Sequence, residues 1–397
     1  MSDPSRPISR RELLVRAATV GGVGAIAPFT FLRRASAASL HRFIRNKMVE
    51  AHTPSVAVAV VRGGRIVFSS AAGWADREHG IRATPRTAYM LASVSKTVTC
   101  AGIMSLWERG RLDLDADVND ILPFEVHIPA APSVPVTMRM LLTHTSAIRD
   151  RYSVWGTPTS NPTLYFHGDS PIPLGEFERW YLVPGESEYR PTANFYERRP
   201  GRAYAYSNIA VALAGYVAEV ASGVDFDALC RRRILHPLGM SDSGYRLADL
   251  TSDDVAMPYG LHPGTGAFVP FYQYGYPDYP DGALRTSAVH LARWLGAFIG
   301  FGVFDGVRVL ERDTVATIRR NQLRGVVPWH QGLIWYGERS SGRSLFGHTG
   351  GDFGMSTRMF FLPERRVGVV SLTNGGLEGH RWRAFSDIEG RLFDEFA

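Results

Sequence analysis

"LASVSKTVT" (Leu91–Thr99) places Ser93 three residues ahead of Lys96 at the start of a helix-like run. The lysine stands out because the chain hardly uses that residue. Of 44 basic side chains only Lys47 and Lys96 are lysine, and the rest are arginine. On a helix, residues three apart share a face, so this spacing brings an amine beside a hydroxyl. A serine is a weak nucleophile until something takes its proton. A lysine can do so where burial and neighbouring groups favour its neutral form. Arginine cannot, because its guanidinium stays charged under any usable condition. Ser93 and Lys96 therefore read as a nucleophile and its proton-transfer partner, against the plainer reading of a lysine snorkelling from a helix surface.

The flanking pattern supplies a scaffold. "SVAVAVVRGGRIVFSSAAGWAD" (55–76) is two β-rich runs joined by Gly63-Gly64, a hairpin signal. Ser93–Gly110 reads as a helix with Val94, Val98, Ile103, Leu106 and Trp107 at helical spacing, closed by Gly110. Residues 115–255 read as helical segments separated by Pro-rich loops, with a clear amphipathic helix over 207–223. Another helix lies within 281–302. Past residue 330 strands return in "GLIWYG", "STRMFFLP" and "RVGVVSLTNGG", and a helix over about 380–396 ends the chain. Strands at both ends with helices between predict an α/β (α+β) fold: one mixed or antiparallel sheet built from both termini, sandwiched by helices, plus a mainly helical lobe. The expected division is 39–115 with 255–397 as the α/β domain and 116–254 as the helical domain.

Composition narrows the function. The formal charge is +6, but Arg6, Arg10, Arg11, Arg16, Arg33 and Arg34 against Asp3 and Glu12 put +4 of it in residues 1–38. The rest is nearly neutral and has no basic stripe, and "RRR" (231–233) reads as a solvated helix face, so nucleic-acid binding is not supported. "SRRELLV" (9–15), the uncharged stretch 17–32 and Ala35-Ser36-Ala37 resemble a twin-arginine export signal with its cleavage site, which predicts a periplasmic or secreted protein. An uncleaved amphipathic N-terminus is the alternative. No later segment reads as a bilayer span. Cys100 and Cys230 are the only cysteines, both in apolar, helix-like surroundings, and read as buried thiols whose pairing stays open. No zinc or phosphate-loop motif is present, so no metal and no cofactor is expected.

Two further motifs join Ser93 and Lys96. "AYSNIA" sets Tyr206 and Asn208 at the mouth of the 207–223 helix. A phenol beside an ammonium can relay a proton, and a carboxamide can grip an amide, although a buried Tyr and a helix-capping Asn would look the same. "FGHTGGDFG" (346–354) places His348, Thr349, Gly350 and Gly351 ahead of a strand, where glycines admit a close backbone and exposed amides can hold an oxyanion. In the order S-x-x-K, Y-x-N, H-T-G, these resemble the serine β-lactamase and penicillin-binding-protein superfamily, on its class C-like branch with D-peptidases and esterases. "MRMLLTHTSAI" (138–148), "PGRAYAYSN" (200–208), "ILHPLGMSDS" (234–243) and "DGALRTSAVHLARW" (281–294) resemble it too.

The resemblance implies a β-lactamase/transpeptidase-like fold with its site where sheet and helical lobe meet. It makes Ser93 the nucleophile of an acyl-enzyme, Lys96 its proton-transfer partner, and Tyr206 the base or relay. Asn208 would contact the acyl amide, Thr349 and Gly350 the substrate, and the amides of Ser93 and Gly351 would form the oxyanion hole. His348 takes the place of the family's K-T-G lysine. An imidazole there is mostly neutral near pH 7, which makes a dedicated β-lactamase a poorer fit than an esterase, peptidase or acyltransferase. His144, in "LTHTS", reads as structural. The aromatic-rich segments 151–168 and 268–282 either cover long loops or wall the pocket for a bulky acyl group. The expected partner is a small-molecule or peptide acyl donor. An acyltransferase using the same intermediate, and a non-catalytic sensor on this scaffold, are the alternatives; the oligomeric state is not legible.

Overall fold

The computed structural model describes residues 27–160, 163–250 and 254–397. Its centre is a seven-stranded sheet, antiparallel throughout, in the order Tyr336–Ser340, Arg343–Asp352, Met355–Leu362, Val367–Thr373, Ser55–Arg62, Arg65–Asp76, Ile81–Arg82. The N-terminal part gives β1 (Ser55–Arg62), β2 (Arg65–Asp76) and β3 (Ile81–Arg82). The C-terminal part gives β4 (Tyr336–Ser340), β5 (Arg343–Asp352), β6 (Met355–Leu362) and β7 (Val367–Thr373). The two ends of the chain meet where β1 pairs with β7, Val56 opposite Thr373 through Arg62 opposite Val367. The β1–β2 hairpin turns through Gly63 and Gly64, with φ +58° and +75°. Positive φ at both central residues matches the twist of the flanking strands, and glycine adopts it at no steric cost.

β1 is buried on both faces, which explains its run of small and β-branched residues. Val56, Val58 and Val60 pack with Leu40 and Ile44 of α1 (Ala27–Glu50) and with Phe385, Ile388 and Leu392 of the C-terminal helix Gly379–Phe396. Ala57, Ala59 and Val61 face the main core, and helix Ala288–Ile299 lies against that side with Leu291, Leu295 and Phe298 buried. Each such side chain contributes on the order of 1.5–3 kcal/mol of burial free energy. Buried Arg358 of β6 donates to both carboxylate oxygens of Glu389 at 3.2 and 3.0 Å, tying the terminal helix to the sheet.

Three local expectations shift. The helix expected from Ser93 begins instead as a 3-10 turn over Ala92–Val94 and becomes α2 at Ser95–Trp107, because Ala92 takes a left-handed φ of +48°. "GLIWYG" is not a strand at its start: Leu333–Trp335 form a buried turn with Ile334 at φ +65°, and β4 opens only at Tyr336. Residues 116–254 carry helices Met138–Leu142, Leu174–Leu182, α3 (Asn208–Ser222) and Phe226–Cys230 among long irregular stretches. The twin-arginine stretch lies outside the described residues.

Candidate active site

The nucleophile turn is held from three sides. Strand Ala88–Met90 pairs with Arg285–Ser287, the Leu91 amide donates to Leu284 O at 2.8 Å, and the Thr357 hydroxyl of β6 donates to Leu91 O at 2.6 Å. These bonds enforce the unusual φ of Ala92, the residue before Ser93. A non-glycine residue in that region costs about 1–3 kcal/mol and persists only where its surroundings fix it. The turn places Ser93 two residues before the start of α2, and Lys96 Nζ then reaches Ser93 Oγ at 3.1 Å.

The second half of the cluster comes from the mouth of α3. Tyr206 OH donates to Ser93 Oγ at 2.8 Å, and Lys96 donates to Asn208 Oδ1 at 2.7 Å. With that oxygen taken, the Asn208 amide nitrogen is left as donor. Ser207 caps the helix by accepting from the Ala210 amide at 3.0 Å. Asp150, which the sequence did not single out, accepts from the Ser207 hydroxyl and from the amides of Asn208 and Ile209. A carboxylate at a helix N-terminus satisfies orphan donors and the helix dipole together. His144 has the structural place expected of it. Its Nδ1 accepts from the Ser207 amide at 3.2 Å and its ring lies 4.4 Å from that of Tyr206. Burial, then the positive charge of Lys96, pushes its pKa down, so it packs as a neutral ring.

Lys96 is fully buried. Besides Ser93 and Asn208 it donates to Asp281 O at 2.6 Å, and it lies 3.5 Å from the Asp281 carboxylate. Burial alone would drive its proton off, but the attraction of Tyr206 and Asp281 outweighs that and its pKa is raised. The neutral amine that one sequence reading required is therefore not the resting state, and the ammonium faces Tyr206. Asp281 is itself pushed up to about 7, by burial first, with Lys96 acting in the opposite sense. It was overlooked because Pro280-Asp281-Gly282 announces only a turn, and nothing local tells where that turn points.

The third motif lies on β5. Arg343–Gly347 pair with β4 on one side, whereas His348–Asp352 have a ladder partner only in β6. Their outer edge is free among the described residues. Gly350 packs against the nucleophile turn, not toward open space: a Cβ there would sit 2.3 Å from Leu91 O and 3.1 Å from the Ser93 amide. Gly351 has nothing within 4 Å of such a Cβ and is exposed. The Thr349 hydroxyl pairs with Tyr336 OH at 2.9 Å. His348 is buried, its Nδ1 donates to Thr349 O at 2.5 Å, and its ring lies 6.4 Å from that of Tyr206. Burial and then Lys96 drive its pKa down to about 3, so it is a neutral imidazole.

Ser93, Asn208, Asp281 and Gly351 border one cavity of about 840 Å3, a volume suited to a small-molecule or short peptide ligand. Lys96, Tyr206, His348, Thr349 and Gly350 do not border it. The two aromatic-rich segments do wall it, through Tyr152, Trp155, Tyr165, Phe271 and Tyr276. Among the described residues no group of His, Cys, Asp or Glu could hold a metal ion, and both cysteines are buried and free. No single described helix is long and apolar enough to cross a membrane.

The sequence and the fold are similar to those of known proteins. The chain matches the Beta-lactamase family over residues 40–384 and belongs to it. It is 26% identical to Penicillin-binding protein 4 of Amycolatopsis lactamdurans over 88% of this chain and 87% of that one. It spans about half the length of other curated relatives, such as Protein flp of Staphylococcus aureus, which it matches at 23% identity over 67% of its own length. Among solved structures it superposes on the octameric penicillin-binding protein homologue of Pyrococcus abyssi with a TM-score of 0.74, at 24% identity over 90% of this chain and 77% of the other. It superposes on the D-amino acid amidase of Ochrobactrum anthropi SV3 with a TM-score of 0.71, at 20% identity over 90% and 98%. The protein is thus a serine-hydrolase-like member of the β-lactamase family, in a fold shared by penicillin-binding proteins and amidases.

Proposed function

We propose that this protein is an exported serine hydrolase that opens an ester, amide or peptide bond through an acyl-serine intermediate. The observation that carries the reading is Ser93 Oγ at the edge of the cavity, 2.8 Å from Tyr206 OH and 3.1 Å from Lys96 Nζ. As Ser93 Oγ attacks the substrate carbonyl, Tyr206 turns its hydroxyl to the leaving group and relays the Ser93 proton towards it, with the Lys96 ammonium beside both. The amides of Ser93 and Gly351 receive the oxyanion, and the Asn208 amide nitrogen donates to the acyl group. Collapse breaks the bond to the leaving alcohol or amine, which takes the proton from Tyr206. Water then attacks the ester by the same route, its proton passing through Tyr206 back to Ser93 Oγ. His348 stays neutral and offers no fixed charge to a substrate carboxylate. The cavity has room for an acceptor as well as an acyl group, so an amine or alcohol in place of water would make the same intermediate an acyl transfer.

Intact-protein mass spectrometry after brief exposure to a panel of acyl donors tests this. A penicillin, a D-Ala-D-Ala peptide, short acyl esters and aromatic peptides would be compared on wild type, Tyr206→Phe and Ser93→Ala. An adduct on Ser93 that builds up in Tyr206→Phe and is absent from Ser93→Ala is expected. Turnover retained by Ser93→Ala would overturn the assignment, and no adduct with any donor would favour a non-catalytic sensor. Adding methanol or an amine to the assay separates hydrolysis from transfer. Replacing Arg10 and Arg11 by lysine should hold the protein in the cytoplasm if the N-terminal stretch is an export signal.

A further inference from the structure

The wall of the catalytic cavity has a charge opposite to that of the chain. The chain carries 44 basic against 38 acidic side chains, yet among the described residues no lysine, arginine or histidine borders the cavity. Four acids do: Asp278, Asp281, Asp352 and Glu378. Two of them are buried and incompletely partnered. Asp278 is 1% exposed, and its Oδ2 accepts from Trp155 Nε1 at 2.8 Å while its Oδ1 has no partner. Asp281 is 7% exposed, and its Oδ1 has none either. Leaving a buried acceptor unsatisfied costs about 1–3 kcal/mol, so such a pair beside an open cavity marks places where a donor is wanted. The nearest protein cations stand behind the wall and are already engaged. Lys96 is held by Ser93, Asn208 and Asp281, and buried Arg285 donates to Ala283 O and Tyr274 O.

Six aromatic side chains, Tyr152, Trp155, Tyr165, Phe271, Tyr276 and Phe353, line the cavity as well. Tyr165 packs edge-on to Tyr276 and to Phe353 with centroids 5.7 and 5.2 Å apart, and Phe271 meets Phe353 at 6.1 Å. All four border the same cavity as the acids. Ring faces attract cations, and carboxylates beside them add direct charge pairing and hydrogen-bond acceptors. A carboxylate entering this space would find only uncharged donors, such as Asn208 and the serine hydroxyls, beside the acids and rings, and neutral His348 on the edge strand does nothing to balance the charge.

Building on the hydrolase reading, we propose that the acyl donor carries a protonated amine near its scissile carbonyl and no carboxylate there: an ester or amide of an aromatic amino acid with a free amino group. The carboxyls of Asp278, Asp281 and Asp352 and the aromatic wall receive the ammonium, and anionic donors are excluded. Burial raises the pKa of Asp278, which has no protein cation hydrogen-bonded to it, whereas Lys96 already offsets part of the burial of Asp281.

Three methyl esters that differ at one position test this: phenylalanine methyl ester in both enantiomers, methyl 3-phenylpropanoate, and the monomethyl ester of benzylmalonic acid. They place an ammonium, a hydrogen and a carboxylate at the same carbon, and the assay runs at a pH that keeps the amine protonated. The expected kcat/KM favours one phenylalanine ester over the phenylpropanoate by about tenfold or more, with the malonate slowest. Asp278→Asn, which keeps an acceptor for Trp155, should collapse the amine preference. Equal or faster turnover of phenylpropanoate or malonate would overturn the proposal while leaving the hydrolase reading intact. If no ester acylates Ser93, the hydrolase reading fails separately, and calorimetric binding of phenethylamine against 3-phenylpropanoate to the wild type still decides. Tighter binding of the amine supports the proposal; equal or weaker binding overturns it.

Discussion

The nucleophile turn and the cavity wall are neighbours built on different principles. Around Ser93 nearly every polar group has its partner: Lys96 has four acceptor atoms, Asn208 and Ser207 are tied to Lys96 and Asp150, and Leu91 O and the Leu91 amide are both engaged. Its parts come from helix starts and from strand β6. The wall across from it comes from the connecting stretches around Tyr152–Ser160, Tyr165 and 271–282 and from the end of β5 at Asp352 with Phe353, and two of its buried acids have oxygens without partners. Satisfied networks rigidify and fix geometry, whereas unsatisfied ones leave binding capacity for a ligand. The contrast assigns chemistry to the first region and selectivity to the second.

The hardest test of that division is Lys96→Arg. It conserves charge, but a guanidinium is larger, planar and unable to place one compact cation among Ser93 Oγ, Asn208 Oδ1 and Asp281 O. Steady-state assays on the best donor should show kcat/KM reduced by about a hundredfold or more, the range expected for loss of proton transfer. Retention of more than a few per cent of activity would mean that Lys96 supplies only charge.

Much of the first region was legible and little of the second, for a physical reason. Ser93 and Lys96, and Tyr206 and Asn208, each lie within three residues of one another at a helix start, so local spacing brings each pair together. The β1–β2 hairpin announced itself through Gly63-Gly64, and the 207–223 helix through its apolar face, although Ser207 and not Asn208 caps it. Asp150, Asp278 and Asp281 act across more than fifty residues of chain, through turns whose direction depends on tertiary packing. The start of "GLIWYG" misled because an apolar run can fill a core as a turn as well as it can form a strand. His348 was expected just ahead of a strand but lies within β5, and neither that nor its burial could be read from its neighbours in sequence.

A smaller change joins the two regions. Gly350→Ala would push a methyl group to 2.3 Å from Leu91 O and 2.4 Å from Thr357 Oγ1, the pair that pins the nucleophile turn. Overpacking of this kind costs about 1–3 kcal/mol. Thermal unfolding should show a melting temperature lower by a few degrees, and kcat should fall about tenfold with KM little changed, because the turn moves and the wall does not. A KM effect instead would place Gly350 against substrate.

Smaller again is Tyr152→Ala. Tyr152 borders the cavity but is 70% exposed, so it closes the mouth more than it supports the fold. Its removal should raise KM for aromatic donors about threefold, leave kcat for a small acetyl ester unchanged, and leave the melting temperature unmoved. A large loss of kcat for the small ester would show that wall and turn are not separable.

The smallest expected effect is none at all, and it decides how the two regions share charge. His348 lies on the free-edged part of β5 but is buried, and with Lys96 nearby its pKa is held down to about 3. A group depressed that far is already neutral at mildly acid pH, so its ring proton resonances should stay fixed from about pH 5 to pH 8, whereas an unperturbed histidine titrates within that range. A flat NMR titration means that the edge strand offers no cation to a donor at working pH, and the acids of the wall then set the electrostatic preference alone. A midpoint near 6 would put an imidazolium beside the edge strand in acid solution. Anionic donors would then gain as the pH falls, and the separation of chemistry from selectivity would hold only above that midpoint.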